Sequence, residues 1–316
     1  MTKPDYPMTI TEFAAKFHDD SACLQYLIEN RWPEGFICPR CDQTEGWWLE
    51  KYNRFECKKC HRQTSPLAGT LLHRSHVPIH LWFWAAYLVT THTPGISALQ
   101  LKRQLGISKI DTVWFMLHRL RRGMINTDRK PLSGLIEADE THIGGPAKGK
   151  VGRGVRSAKN KTLIAGAVEI LSYTTKKNVI KKKAGRLRLQ VLNDASADEI
   201  GAFIRAHVTK NSTIKSDGWS GYSASALAGY QHQKNVQHDP KKAHELAPQI
   251  HRIFSNLKAW LNGIHHGVEP KYLQFYLDEF VFKFNRRAYP MSSFRSLFEI
   301  LLDKKPLTFQ ALTEEP

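Results

Sequence analysis

The sequence has no apolar run of about 18 residues, so no segment of it resembles a membrane-spanning helix. Residues 1–10 also lack the basic-then-apolar pattern of a signal peptide. Both absences predict a cytoplasmic protein without a membrane partner, in a compartment where thiols stay reduced. The chain has only five cysteines among 316 residues, and under reducing conditions we expect them to bind metal before they form disulfides.

Acidic residues are scarce relative to basic ones. Asp and Glu number 29 against 46 Lys and Arg, which gives a formal net charge of +17. A surplus of this size predicts a polyanionic partner, and nucleic acid fits better than a membrane because no amphipathic anchor begins the chain. The hydrophobic content of 41% allows a sizeable core, and the length suggests about two domains with small accessory modules.

Four cysteines form two CxxC pairs, Cys38 with Cys41 and Cys57 with Cys60, and fifteen residues separate the pairs. Each pair directs two thiolates at one point, a spacing typical of a tetrahedral zinc site in a zinc ribbon. A segment this short needs the metal in order to fold. A redox pair is the alternative, but no thioredoxin-like pattern surrounds either motif. The fifth cysteine, Cys23, lies in a predicted helical stretch and is expected to pack in a core.

Residues 78–126 have the apolar spacing of helices. A segment over residues 96–105 ends at Gly106, and a second helix is predicted over residues 111–122. Helix, glycine-containing turn and helix together predict a helix-turn-helix motif, although an ordinary helical hairpin remains the alternative. In the motif, the start of the second helix faces DNA bases and its later residues face phosphates. The residues expected to contact DNA are Lys109, Thr112, Arg119, Arg121 and Arg122.

After a polar linker the pattern changes to strands alternating with helices. Strands are predicted over residues 134–143, 162–170, 186–192, 213–216 and 236–238, and helices over residues 197–208, 243–260 and 271–287. This order predicts an RNase H-like α/β domain with a mixed sheet, in which the first and fourth strands are neighbours at the centre. The fold class expected for the whole chain is multidomain α+β, with the zinc ribbon and the helix-turn-helix region ahead of this domain.

Two of the predicted strands present an aspartate: Asp139 lies within the first strand, and Asp217 directly follows the fourth. Neighbouring strands would bring the two carboxylates together, and carboxylates suit a hard divalent cation. Either aspartate alone is equally typical of a strand-to-loop turn.

A glycine-containing loop over residues 146–161 is rich in basic residues. It is predicted to hold a phosphate backbone, although a merely solvated loop is the alternative. Its residues expected to contact DNA are Lys148, Lys150, Arg153 and Arg156.

The order of these motifs resembles the bacterial insertion-sequence transposases that place a zinc ribbon ahead of a DDE-type integrase domain. The resemblance runs over residues 10–300 and includes the segments Glu137–Thr141, Ser216–Tyr222 and Ser255–Leu261. The domain boundaries expected from this organisation are an N-terminal helical segment (1–30), a zinc ribbon (31–68), a helix-turn-helix region (76–127), a catalytic domain (132–300) and a tail (301–316).

The resemblance implies a recombinase that binds the ends of its element, cleaves them and joins the 3′-hydroxyls to target DNA with Mg²⁺ or Mn²⁺. It implies Asp139 and Asp217 as the first two catalytic residues. Relatives carry Glu or Asn as the third, and our first choice is Asn256; His251, seven residues before Lys258, is the rival, and Glu245 is weaker. Lys258 is expected to hold a phosphate near the cut.

Joining two ends implies at least a dimer on DNA. Two other functions remain open at this point. One is a DNA-binding regulator that uses the ribbon and the helix-turn-helix and has an inactive C-terminal domain. The other is a nuclease that hydrolyses DNA without joining it.

Overall fold

The structure is a computed structural model, and it describes residues 6–125, 129–144, 161–235 and 247–314. The chain divides into two compact units. The first consists of Met1–Asn126 with Ala288–Pro316, and the second is Thr127–Arg287. Among the described residues, no helix is both long and apolar enough to cross a membrane.

The secondary structure follows the predicted order. The helices of the described residues are α1 (Ile10–Lys16), α2 (Asp20–Arg31), α3 (Ile79–Thr91), α4 (Ala98–Leu105), α5 (Ile110–Gly123), α6 (Ala197–His207), α7 (Pro248–His265), α8 (Leu273–Asn285), α9 (Ser292–Asp303) and α10 (Phe309–Glu314). The strands are β1 (Gly46–Leu49), β2 (Arg54–Cys57), β3 (Gln63–Thr64), β4 (Leu135–Ile143), β5 (Thr162–Thr174), β6 (Ile180–Leu192), β7 (Thr213–Ser216) and β8 (Gln231–Lys234).

Short polar residues begin several of these helices. The side chains of Thr9, Asp19, Ser97 and Ser196 each accept a hydrogen bond from the backbone amide three residues later. Each satisfies an amide that the first helical turn leaves without a partner. Gly106 ends α4 at a φ of +66°, a left-handed conformation that glycine adopts without steric cost. The predicted turn between α4 and α5 is therefore present.

The core of the first unit is aromatic. Phe13 and Phe17 of the N-terminal segment both pack with Phe294 of α9. Phe83 of α3 joins this cluster and also contacts Phe298 of α9. The sequence placed residues 288–300 with the catalytic domain and residues 301–316 in a tail. In the structure α9 lies in the first unit instead, because its buried phenylalanines fill the core that α1 to α3 begin.

A five-stranded sheet forms the second unit, in the order β6-β5-β4-β7-β8. β4 pairs in parallel with β7 and antiparallel with β5, so the sheet is mixed. The first and fourth strands of the unit, β4 and β7, are neighbours at its centre, which confirms the predicted RNase H-like arrangement. The last position belongs to β8, and the strand predicted over residues 236–238 lies outside the described residues.

Helices cover both faces of this sheet. On one face, Ile164 and Val168 of β5 pack with Ile250 and Phe254 of α7 and with residues of α8. On the other face, a second buried cluster joins strands β4, β5 and β7 to α6. Successive residues of β4 and β5 alternate between the two clusters, as strand geometry requires.

Candidate functional site

The start of α7 is fixed by a buried carboxylate of β4. Glu137 Oε2 accepts hydrogen bonds from the backbone amides of Gln249 (2.8 Å) and Ile250 (3.2 Å). Lys215 of β7 lies 4.0 Å from the other carboxylate oxygen. A carboxylate stabilises the positive end of a helix and satisfies its first amides. Glu137 therefore places the first turn of α7 against β4 and β7.

Two further contacts run along the same face of β4. Asp139 lies two residues after Glu137, and its Oδ2 is 2.8 Å from Nε2 of His251 in the first turns of α7. Two residues further along, Thr141 Oγ1 accepts a hydrogen bond of 2.6 Å from Nζ of Lys258. The Asp139 side chain is 18% exposed and that of His251 is 31% exposed, so both side chains are partly accessible from solvent.

Asp217 follows the last residue of β7. The parallel register pairs Glu137 with Lys215, so Asp139 and Asp217 each lie two residues beyond this last pair on neighbouring segments of chain. The Asp217 carboxylate accepts a hydrogen bond of 2.9 Å from the amide of Trp219, which fixes the turn after the strand. Asp217 therefore forms a turn at the end of the strand that neighbours β4.

A third carboxyl group lies on the opposite face of β4. Glu140 accepts a hydrogen bond from the hydroxyl of Tyr222, which is buried. Burial is the main cause that raises the pKa of Glu140 to about 7; the hydrogen bond from Tyr222 opposes this rise, and the charges of Asp139 and Asp217 add to it. The pKa of Tyr222 is also raised, by burial first and then by Glu140 and the two aspartates. Three carboxyl groups therefore share one electrostatic environment.

Gly166 of β5 allows α7 to approach this part of the sheet. It is the register partner of Asp139 on β5. A Cβ atom at this position would lie 2.8 Å from two ring carbons of Phe254 and 2.9 Å from Cδ1 of Ile250. The glycine thus leaves room for two side chains of α7 beside His251. The sequence assigned no part in this site to Gly166, Glu137 or Tyr222. Of the three, only Glu137 could have been recognised, because it is an acid two residues before Asp139 in the same predicted strand.

The structure separates the candidates for the third catalytic residue. His251 contacts Asp139, whereas Asn256 is exposed five residues further along α7. Five residues turn a helix by about 140° beyond a full turn, so the Asn256 side chain leaves α7 in a different direction from that of His251. Lys258, seven residues after His251, shares its face of the helix. Glu245 lies outside the described residues.

The residues predicted to contact DNA differ in exposure. Lys109 is exposed just before α5, and Thr112 and Arg122 are half-buried. Arg119 and Arg121 are only 8% and 1% exposed. The prediction of DNA contact was wrong for these two, because this part of α5 packs inside the first unit and the Arg119 guanidinium lies 4.5 Å from the ring centre of Phe115. Four predicted contacts fall outside the described residues: Lys148, Lys150, Arg153 and Arg156.

The four cysteines of the CxxC pairs come together at one end of the β1-β2-β3 sheet. Their Sγ atoms all lie within 4.8 Å of one another. The Sγ atoms of Cys38 and Cys60 are 3.6 Å apart, as are those of Cys41 and Cys57. Zinc–sulfur bonds of about 2.3 Å in a tetrahedron require sulfur–sulfur distances of roughly 3.8 Å, so the donor set fits a zinc ion.

Comparison with known families gives a match for each of two segments of the chain. The ISXO2-like transposase domain family matches residues 131–285, which include Asp139, Asp217 and His251. The transposase zinc-ribbon domain family matches residues 18–63, which include the four clustered cysteines. No curated protein matches the chain. The chain therefore belongs to the insertion-sequence transposases that carry an N-terminal zinc ribbon ahead of an ISXO2-like transposase domain.

Proposed function

We propose that the protein binds the ends of its insertion sequence, cleaves them and transfers the resulting 3′-hydroxyls to target DNA. The observation that carries the proposal is the contact of Asp139 on β4 with His251 of α7, with Asp217 directly after β7, the strand that pairs in parallel with β4. Chains of a transposase family that had become DNA-binding regulators would not need this arrangement.

Asp139, Asp217 and His251 would hold the divalent cations. Their donor set fits such ions, because carboxylates suit Mg²⁺ and Mn²⁺ and the adjacent imidazole is an accepted ligand for transition metals. When bound, a pair of cations supplies activation of the attacking oxygen and stabilisation of the leaving oxygen of the phosphodiester. An imidazole in place of a third carboxylate shifts the preference of the site from Mg²⁺ towards Mn²⁺.

His251 rather than Asn256 is our choice for the third catalytic residue. His251 Nε2 lies 2.8 Å from Asp139, and the same helical face continues to Lys258. Asn256 would have to turn by about 140° around α7 to reach the same point. The proposal therefore replaces our first choice from the sequence with its rival.

Lys258 is proposed to hold a phosphate of the DNA beside the cleaved bond. Its ammonium is exposed and is held by Thr141, two residues after Asp139 on the same face of β4. A lysine ammonium attracts the phosphates of the substrate, so Lys258 takes part in binding and not in proton transfer. Removing the Lys258 side chain should therefore weaken the binding of cleavable DNA more than it lowers the rate of cleavage of DNA that is already bound.

Cleavage of labelled DNA that carries the element's ends, in Mg²⁺ or Mn²⁺, tests the proposal. Asp139→Ala, Asp217→Ala and His251→Ala should each abolish cleavage and joining while DNA binding persists. Asn256→Ala is the matched control on the same helix and should cleave at close to the wild-type rate. Retained cleavage in either aspartate variant would refute the function.

A comparison of the two helix variants tests the third residue separately. Loss of cleavage in Asn256→Ala together with wild-type cleavage in His251→Ala would restore Asn256 as the third residue and leave the proposed function unchanged.

Joining two ends in one reaction also requires two active sites, so we expect at least a dimer on DNA. Light scattering of the complex with end DNA measures that assembly directly.

A further inference from the structure

Strands β5 and β6 continue as a two-stranded ribbon beyond the rest of the sheet. Pairing between β4 and β5 stops at Ile136 with Glu169, whereas β5 and β6 stay paired from Leu171 with Lys183 to Thr174 with Ile180. We call residues 171–183 the lysine arm. Within it every residue but one, Thr175, is exposed. The arm thus has solvent on both faces.

The charge of the lysine arm is entirely positive. It contains five lysines and no acidic residue. Neighbouring positions along a strand point to opposite faces, so the lysines of β6 lie on both sides of the ribbon, with two more at its tip. The five lysines are Lys176, Lys177, Lys181, Lys182 and Lys183. Such an unbalanced cluster attracts a polyanion, and no acid on the arm competes for it.

The base of the lysine arm is held by two arginines. Arg186 of β6 forms an ion pair with the buried carboxylate of Glu169 and donates to the carbonyls of Lys130 and Pro131. Arg287 donates to the carbonyl of Gly185 at 3.3 Å and to that of Ala184. These bonds hold the two strands where the arm leaves the sheet. The lysines are therefore presented on a fixed ribbon.

Apolar side chains lie between the lysines. Tyr173 is 42% exposed and Ile180 is 72% exposed, and the Lys183 ammonium lies 5.4 Å from the ring centre of Tyr173. Apolar and aromatic groups among cations suit the sugars and base edges of a groove as well as another protein. A second copy of this chain is the less suitable partner, because it would bring a like-charged arm and a net charge of +17.

We propose that the lysine arm binds duplex DNA, with the ribbon in the major groove and the lysines on the phosphates that border it. The major groove is about 12 Å wide and admits a two-stranded β-ribbon. Along β5, Tyr173 lies seven residues, or about 24 Å, from the register partner of Asp139, so the arm acts on binding and not on the chemical step. The proposal deepens the proposed function, since it rests on DNA being the substrate.

The test is the salt dependence of duplex binding, measured without divalent metal in the Asp139→Ala background. The variant replaces Lys181, Lys182 and Lys183 with Gln. Each phosphate contact contributes about 0.9 to the slope of log affinity against log salt, so the slope should fall by up to roughly 2.7. The matched control makes the same charge change at three exposed lysines that are not part of the arm, Lys210, Lys271 and Lys305, and should keep the wild-type slope.

Equal slopes for the arm variant and the control would overturn the proposal, as would a change in self-association by the arm variant with unaltered DNA binding. Thermal unfolding should be the same for both triple variants, because all six lysines are exposed. Binding in this assay requires no cleavage. Retained cleavage by Asp139→Ala would therefore contradict the proposed catalytic function, whereas the binding result for the lysine arm would remain valid.

Discussion

Gly166 offers the sharpest test of how α7 is held against the sheet beside Asp139. Gly166→Ala adds one methyl group at 2.8 Å from two ring carbons of Phe254 and at 2.9 Å from Cδ1 of Ile250. Carbon atoms pack at about 3.5–4.0 Å, so the side chains or the helix must move by roughly 1 Å. Overpacking of this kind lowers the free energy of unfolding by about 1–3 kcal/mol.

The same shift should reach the chemistry. His251 is the residue after Ile250 and precedes Phe254 by less than one helical turn, so moving α7 carries its imidazole away from Asp139. A misplacement of about 1 Å can lower a rate by roughly 100-fold. We therefore expect Gly166→Ala to slow single-turnover cleavage by about 10- to 100-fold while duplex binding stays near wild type. Urea denaturation measures the accompanying loss of stability.

Two further variants separate this mechanism from a general loss of stability. Gly263→Ala lies in the same helix with nothing within 4 Å of the added methyl group, and it should be neutral or stabilise by up to about 1 kcal/mol. Phe254→Leu in the Gly166→Ala background removes the crowded ring carbons and should restore part of the cleavage rate. Wild-type rate and stability in Gly166→Ala would refute the reasoning.

Three further predictions concern groups around the two sites. Glu140 has a pKa of about 7 in the folded protein against an ordinary 4.5, so the folded protein binds this proton more tightly than the unfolded chain does. The free energy of unfolding of the metal-free protein should therefore fall as the pH rises between those two values. Glu140→Gln should remove that fall, as measured by urea titrations in EDTA. Glu137→Ala leaves two amides of α7 without an acceptor and should destabilise the second unit by about 1–3 kcal/mol, with Glu137→Gln milder, by the same titrations. Cys57→Ser should lower the zinc content below about one ion per chain in metal analysis and open the ribbon to protease, whereas Cys23→Ser should retain the metal; equal zinc content in both would contradict the site.

Local spacing was sufficient for several features of the protein. Two CxxC pairs predict a zinc ribbon independently of how the rest of the chain folds, because their four thiolates can complete the tetrahedral coordination of one zinc ion. Gly106 specifies the turn after α4 because its left-handed conformation is a property of the residue itself. The order of strands and helices indicated that β4 and β7 would be neighbours at the centre of the sheet.

Features that depend on how a helix is rotated or how a strand ends needed the tertiary structure. The sequence supports Asn256 and His251 about equally as the third residue of the site. Only the packing of α7 against Glu137 and Gly166 brings His251 to Asp139. The burial of Arg121 could not be predicted from the sequence either, since a basic residue near the end of a helix is expected to face solvent.

The lysine arm shows the same division between sequence and structure. The sequence predicted strands over residues 162–170 and 186–192, whereas β5 runs to Thr174 and β6 begins at Ile180. The residues between have no alternating apolar face, because neither face of the ribbon is covered by a helix. The sequence by itself thus determined the cysteine pairs of the zinc ribbon and the order of the fold. The tertiary structure alone decided which side chains of α7 contact β4 and which charges lie on an exposed ribbon, because those depend on packing between segments far apart in the chain.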